Sequence, residues 1–331
     1  MKIVIDMYGG DGGAAETVTG AALASLNADY KIVIAGVEEE ARGILKTRKY
    51  DPSVIEFLNA KGAPVTNDDI PTDAIKTKSD SSMFAGLRRL RDDPECAGMI
   101  SAGSTGALLA GGLFIAGRIA GVHRPALAVS LPTHNENKRV LLLDCGANAD
   151  CKPEFLLQFA LMGGCYMSAM YGIKSPSVAL LSNGSEDKKG SDANKEAFAL
   201  LRSGGLNFVG NREARDILSG DYDVFAADGF TGNVALKSLE CSQLAIFAAL
   251  KQEIKKRMPA MIGYGLMKGA FKGLAKRMDY TKQGGAILLG CKKIVMKTHG
   301  SSKAHTVAIC ADQVASLAKN KLIEKISDKL K

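Results

Sequence analysis

Tryptophan is absent from the chain, and aromatic residues make up only 6% of it. The core must then be aliphatic, and no aromatic platform for stacking nucleic-acid bases is in view. Proline occurs only 9 times in 331 residues, so little of the chain is barred from helices and strands. The 7 cysteines are odd in number and scattered, without a Cys-x-x-Cys pair, and Cys145 and Cys151 have no histidine at ligand spacing. That pattern suits a reduced, cytosolic protein with neither a disulfide framework nor a zinc site. No metal and no cofactor are expected. The nucleotide and hydrolase motifs are also missing. There is no GxxxxGK[ST], no GxGxxG after a strand and no GxSxG elbow.

Long apolar runs are few. Residues 97–117 and 155–173 carry no charge. A membrane-spanning helix needs about 20 predominantly apolar residues. The first run is interrupted by Ser101, Gly103, Ser104, Thr105 and Gly106, and the second by Gln158, Gly163, Gly164 and Ser168. Both read as buried segments. Residues 1–6 read as a strand rather than a leader.

What is present is an alternation of short aliphatic runs and helical patterns in a chain that is 46% hydrophobic. Strands are expected at 2–6, 31–35, 54–58, 97–101, 126–131, 140–144, 177–181, 207–210, 223–227, 286–289 and 294–297. Helices are expected at 14–27, 81–91, 153–171 and 303–329, among others. Such alternation predicts a mainly parallel sheet covered by helices on both faces, a three-layer α/β/α domain spanning 1–331. Several strands are continuous apolar runs, as burial on both faces requires. Residues 234–280 break the alternation and read as a projecting helical hairpin, with Pro259, Gly263 and Gly265 dividing its two arms.

The net charge of +8 is concentrated in this hairpin. Residues 251–277 contain eight lysines and arginines opposed only by Glu253. Lys268, Lys272 and Lys276 recur every four residues on one helix face, and Met267, Phe271, Leu274 and Met278 form another. A dimer contact with a solvated basic face fits this pattern. So does a tip that dips into an anionic membrane surface. An acidic protein partner fits the same charge.

Glycine-bearing turns follow Asp6, Ser101, Asp144 and Asp228, and the polar loop SNGSEDKKGS follows Leu181. In open parallel sheets ligands sit outside the carboxyl ends of the strands. All five turns are therefore expected at one sheet edge. Glycine lets backbone approach a ligand, and each following helix offers free N–H groups to an anion. The candidate residues are Gly9, Gly10 and Asp11; Gly103, Ser104 and Thr105; Asn148; and Asp228, Gly229, Gly232 and Asn233. Plain turn and capping chemistry is the alternative for each. Lys188 and Lys189, on composition alone, are solvated surface. His299, in KTHGSSKAH, either caps the last helix or belongs to the site.

Taken together, the stretches IDMYGGD, KSDSSM, SAGSTGALLAGGLF, RPALAVSLPT, LLLDCGANADCKPEFLLQFALMG, ADGFTGNVALKS and THGSSKAH resemble one family closely, the bacterial phosphate acyltransferases of glycerolipid synthesis. They run in order from Ile5 to His305. The resemblance implies an α/β/α fold similar to isocitrate dehydrogenase and phosphotransacetylase, with a helical excursion that builds a homodimer. It implies conversion of an acyl-[acyl-carrier-protein] thioester and inorganic phosphate to acyl phosphate. That product would pass to a membrane acyl-phosphate:glycerol-3-phosphate acyltransferase, so a peripheral position at the inner face of the cell membrane is expected, and no nucleic acid. It further implies catalytic roles for Lys189 and Asn233, with His299 and Ser301 among the phosphate- and acyl-binding residues. The chain departs from the family at Tyr8, where methionine is common; at Ser104, where asparagine is usual; and at Lys188–Ser191, where Gly-Lys-Gly-Asn is usual. A coenzyme A-dependent phosphotransacetylase and a catalytically silent carrier-protein or membrane binder are the alternatives.

The chemistry fits these residue types. Phosphate is largely dianionic near neutral pH, since the comparable second pKa is about 6. A thiol leaving group has a pKa of about 8.5. Neither metal nor strong acid is required. A lysine and helix N-termini suffice to hold phosphate, and an asparagine amide to hold the oxyanion. An acyl-cysteine route through Cys145 or Cys151 is disfavoured by the acidic neighbours of both.

Overall fold

A computed structural model of the chain describes residues 1–278 and 284–331. All eleven expected strands form: β1 (Lys2–Asp6), β2 (Lys31–Gly36), β3 (Ile55–Asn59), β4 (Cys96–Ser101), β5 (Ala126–Pro132), β6 (Arg139–Leu143), β7 (Ser177–Leu181), β8 (Asn207–Arg212), β9 (Val224–Ala226), β10 (Ala286–Leu289) and β11 (Ile294–Lys297). The helices that matter below are α1 (Gly13–Ser25), α2 (Pro71–Thr77), α3 (Ser82–Asp92), α4 (Thr105–Gly111), α5 (Pro153–Tyr171), α6 (Asp192–Ser203), α7 (Gly229–Lys255), α8 (Met258–Met278), α9 (Ala304–Lys319) and α10 (Leu322–Lys329).

The strands join one sheet in the order β3-β2-β1-β4-β11-β10-β5-β6-β9-β7-β8. The first five are mutually parallel, and so are the last four. Between them β10 and β5 pair antiparallel with each neighbour. Three successive antiparallel pairings reverse the chain direction, so the two parallel blocks point opposite ways. This corrects the expectation that all the glycine turns share one edge. The turns after β1, β4 and β11 lie at one edge. Those after β6, β7 and β9 lie at the other.

Side chains alternate across the sheet with period two. Ile3, Ile5, Ile32 and Ile34 face α1, α5 and α9 in one continuous core. Val4, Val33 and Met99 face the opposite side, beneath α3 and α4. Val140, Leu142, Phe225 and Leu181 also face that side, beneath α7. On this second face the core is therefore split in two, and the split falls over β5 and β10.

Three helical boundaries differ from expectation. The C-terminal segment is two helices, because Lys321 adopts a left-handed φ of 56° between α9 and α10. The hairpin turns at residues 256–257, earlier than Gly263 and Gly265, which lie inside α8. Pro259 occupies the first turn of α8, where its missing N–H is no loss. The hairpin's first arm also begins earlier than expected, at Gly229. Residues 279–280, at its expected end, and the side chains of Lys276 and Met278 lie outside what is described. Of the 27 residues of α7 only Gly229, Gly232 and Leu236 are buried.

Candidate active site

The split in the second-face core is a cleft of about 530 Å³. Its floor is β5, through Leu127 and Val129. One wall comes from the edge where β1, β4 and β11 end, through Tyr8, Gly10, Asp11, Gly103–Thr105 and Lys297–Gly300. The other wall comes from α7 and the end of β6, through Asn233, Leu236, Lys237, Glu240 and Cys145. The reversal of the sheet is what makes this possible. Helix α7 leaves the far edge and runs back over the second block, carrying Asn233 and its neighbours into the cleft.

The first wall is an interlocked set of turns. Asp6, at the end of β1, is buried and accepts hydrogen bonds from Ser82 Oγ (2.5 Å), Ser101 Oγ (2.6 Å) and the Tyr8 N–H (3.3 Å). Burial pushes its carboxyl above the ordinary carboxylate range, and the two hydroxyls oppose that shift. Gly103 N–H donates to Ser101 Oγ at 3.0 Å, which shapes the turn after β4. A Cβ on Gly9 would come within 2.6 Å of the Ala102 and Gly103 nitrogens, so only glycine allows this approach. Asp11 N–H donates to the Gly300 carbonyl at 2.8 Å, tying the first turn to the last. His299 is held by Ser301, whose N–H donates to Nδ1 at 3.2 Å and whose hydroxyl lies 2.8 Å from it. His299 itself lines the cleft.

The second wall rests on a buried elbow. Asp144 is fully buried and accepts from the backbone of Leu127, Ala147 and Asn148 and from the Asn148 amide, at 2.7–3.0 Å. Burial pushes its carboxyl upward, against those four donors. The Asn148 carbonyl accepts from Gly229 N–H at 2.7 Å. A Cβ on Gly232 would lie 1.9 Å from the Asp144 carbonyl oxygen. Asp228 caps α7 through the Thr231 N–H (2.8 Å) and hydroxyl (2.7 Å). Asn148, Asp228, Gly229 and Gly232 thus build the launch of α7 rather than line the cleft. Asn233 is the next residue, and its exposed amide makes no hydrogen bond to the described residues. Gly146, at a φ of 120°, leaves room beside it.

Lys189 is placed apart from this cleft. It stands exposed on the loop after β7, its N–H donating to Glu186 O at 3.1 Å and its stem covering Gly184. That loop shares an edge with the start of α7. A second cavity of about 400 Å³ lies there, between Asp150, Cys151, Ser191, Asn194, Asp228 and Phe230. Lys189 lines neither cavity. Lys188 is equally exposed.

Three charged residues of the cleft were not singled out from sequence. Lys237 and Glu240 follow Asn233 by four and seven residues, a helical spacing that puts them on its face. They pair with each other at 2.8 Å. Lys297 ends β11 and carries no such periodic signal. Burial lowers its pKa to about 8, against the opposing influence of Asp6 and Asp11. The environment of the cleft's cysteine disfavours its thiolate. Burial beside Asp144 holds the Cys145 thiol well above its ordinary value, and Cys151 is pushed up to about 12. Among the described residues no cluster fit to hold a metal ion occurs.

The three-layer α/β fold is similar to that of solved phosphotransacetylases. The chain superposes on a phosphotransacetylase from Streptococcus pyogenes with a TM-score of 0.64, at 18% identity, over 96% of this chain and 94% of that one. A phosphotransacetylase from Staphylococcus aureus gives 0.63, at 16% identity, over 97% and 94%. Sequence narrows the class. Residues 1–325 match the family model described as fatty acid synthesis protein. The chain is 43% identical to the phosphate acyltransferase of Clostridium tetani, over 100% of this chain and 98% of that one. It is 42% identical to that of Geobacillus thermodenitrificans, over 100% and 99%. The chain belongs to the phosphate acyltransferase family.

Proposed function

We propose that the protein transfers an acyl group from an acyl-[acyl-carrier-protein] thioester to inorganic phosphate. A phosphate oxygen attacks the thioester carbonyl carbon, forming a C–O bond and a tetrahedral oxyanion. The oxyanion collapses, the C–S bond breaks, and the carrier thiolate leaves and takes a proton from solvent. The products are acyl phosphate and free carrier protein. The observation that carries this reading is the Asn233 amide, without a hydrogen-bond partner among the described residues, held by the elbow on one wall of a cleft whose other wall is a set of interlocked glycine turns. Asn233 holds the developing oxyanion. Lys189 stands outside the cleft, on the exposed loop that shares an edge with the launch of α7, and would supply positive charge to the reacting phosphate by movement of that loop toward the cleft. Gly10, Gly103, Ser104, Thr105 and His299 form the phosphate- and acyl-binding wall, with Gly9, Asp11 and Ser301 shaping it. The raised thiol of Cys145 supports direct attack over an acyl-enzyme.

The hairpin supports two further parts of the reading. Helices α7 and α8 expose Leu244 (70%), Ile262 (67%) and Leu266 (86%), a density of apolar surface that a monomer in water seldom carries. Helix α7 would pair with a second copy in a homodimer, and the start of α8 would rest on an anionic membrane at its cytoplasmic face. No described helix is long and apolar enough to cross a membrane. From there acyl phosphate would pass to a membrane acyl-phosphate:glycerol-3-phosphate acyltransferase and enter phospholipid synthesis. The test is to incubate the protein with labelled phosphate and either acyl-carrier protein or acyl-coenzyme A, trapping acyl phosphate with hydroxylamine. Product from the carrier substrate supports the proposal. Product from coenzyme A alone moves the reading to a phosphotransacetylase, and none from either rejects acyl transfer.

A further inference from the structure

Lys297 has no part in the reaction as drawn above. It pairs with Ser101 in the register of β11 against β4, directly beside the turn that carries Gly103, Ser104 and Thr105. Its Nζ donates to the Ala102 carbonyl at 3.0 Å and to the Thr298 carbonyl at 2.5 Å. An ammonium carries three donors, so one remains. The side chain lines the cleft. Lys237, the other lysine of the cleft, already has Glu240 as its counter-ion. Lys297 has no carboxylate at ion-pair distance among the described residues. Asp6 and Asp11 both lie close enough to be felt, but neither comes within ion-pair distance, and Asp6 is already hydrogen-bonded by two serine hydroxyls and a backbone N–H. A partly buried cation without a full counter-charge carries a desolvation cost that an arriving anion offsets.

We propose that Lys297 is the phosphate-seating residue of the cleft, its third N–H donating to a phosphate oxygen beside the turns after β4 and β11. The ligand class is a tetrahedral oxyanion. The inference rests on the reading of the reaction as acyl transfer to phosphate, and adds to it where phosphate waits. Seated there, phosphate lies on one wall and the Asn233 amide on the other, with the thioester carbonyl between them over Leu127 and Val129. Partial burial is consistent with this role. It leaves Lys297 mostly protonated near neutral pH, and an arriving anion raises its pKa again.

The alternative is that Lys297 only clips Ala102 to Thr298. The two roles separate in kinetics. In Lys297→Met the phosphate KM should rise about 10–100-fold, the worth of one charge-assisted hydrogen bond, while the KM for the acyl donor stays unchanged. Lys297→Arg should recover part of the loss. A native phosphate KM in Lys297→Met, whatever its thermal stability, overturns the proposal. Should that variant not fold, the native protein decides, with sulfate as an inhibitor competing with phosphate. Sulfate stays dianionic, so its inhibition should weaken about tenfold per unit above roughly pH 8 as the lysine deprotonates. Flat inhibition across that range overturns the proposal. The charged and titratable groups facing Lys297 are Asp6 on β1, Asp11 and Tyr8 on the turn after it, His299 after β11, and Lys237 and Glu240 on α7. The sulfate series is repeated in His299→Asn, so that a titration of the imidazole is not mistaken for the lysine's. Calorimetric titration with phosphate alone needs no acyl donor. If the protein makes no acyl phosphate, the reaction reading fails, and phosphate binding lost in Lys297→Met still supports the seat.

Discussion

Gly232→Ala is the sharpest perturbation of the elbow that launches α7. The new Cβ would fall 1.9 Å from the Asp144 carbonyl oxygen, well inside van der Waals contact, and the clashing atom is backbone. That oxygen cannot swing aside as a side chain would, because Asp144 is fixed by four donors to its carboxylate. Helix α7 must therefore lift by more than an ångström. Overpacking of this kind typically costs about 1–3 kcal/mol, which lowers the Tm of a domain this size by roughly 2–6 °C. The effect on activity is larger, because Asn233 is the next residue. A misplacement of about 1 Å at a reacting centre can cost on the order of 10²-fold. Thermal unfolding and phosphate-dependent acyl transfer, measured together, check both figures. A Gly232→Ala protein with native Tm and native turnover would refute the reasoning, since it would mean the elbow does not position Asn233.

Other expectations are as direct. Asn233→Ala should fold normally and lose about 10²–10³ in kcat, the usual cost of one oxyanion donor, read from initial rates at saturating substrates. Lys189→Ala should lower kcat while leaving calorimetric phosphate affinity near native, and the reverse split would exchange its role with that of Lys297. Cys145→Ser should retain phosphate-dependent turnover, and its loss would reopen a covalent route. Leu266→Glu should keep its fold and turnover on soluble carrier substrate but no longer float with anionic vesicles at modest salt. Unaltered flotation would place the membrane contact elsewhere.

The eleven strands were legible because burial on both faces leaves a plain signature, a run of apolar residues closed by a turn. Their directions were not. The reversal depends on β10 and β5 pairing antiparallel across more than 150 residues of chain, and nothing local in Ala126–Pro132 or Ala286–Leu289 encodes it. The glycine turns are legible as tight places, but tightness has two uses. Gly9 and Gly10 admit neighbouring backbone at the cleft wall, whereas Gly229 and Gly232 admit the backbone of Asn148 and Asp144 beneath a helix. Sequence alone does not tell these apart. Lys297 carries no signal in the sequence, because a lysine at a strand end is ordinarily solvated. Its burial is a consequence of the turns from β1 and β4 closing over it. The break at Lys321 likewise has no glycine or proline to announce it.

The central claim is that phosphate attacks the thioester directly. It is tested by mixing the protein with acyl-carrier protein in the absence of phosphate, recording intact protein mass and free carrier, and then adding phosphate. Direct attack predicts an unmodified protein mass and no released carrier until phosphate arrives, followed by acyl phosphate and carrier in equal amounts. An acyl adduct on the protein, or a stoichiometric burst of carrier before phosphate is present, would contradict it.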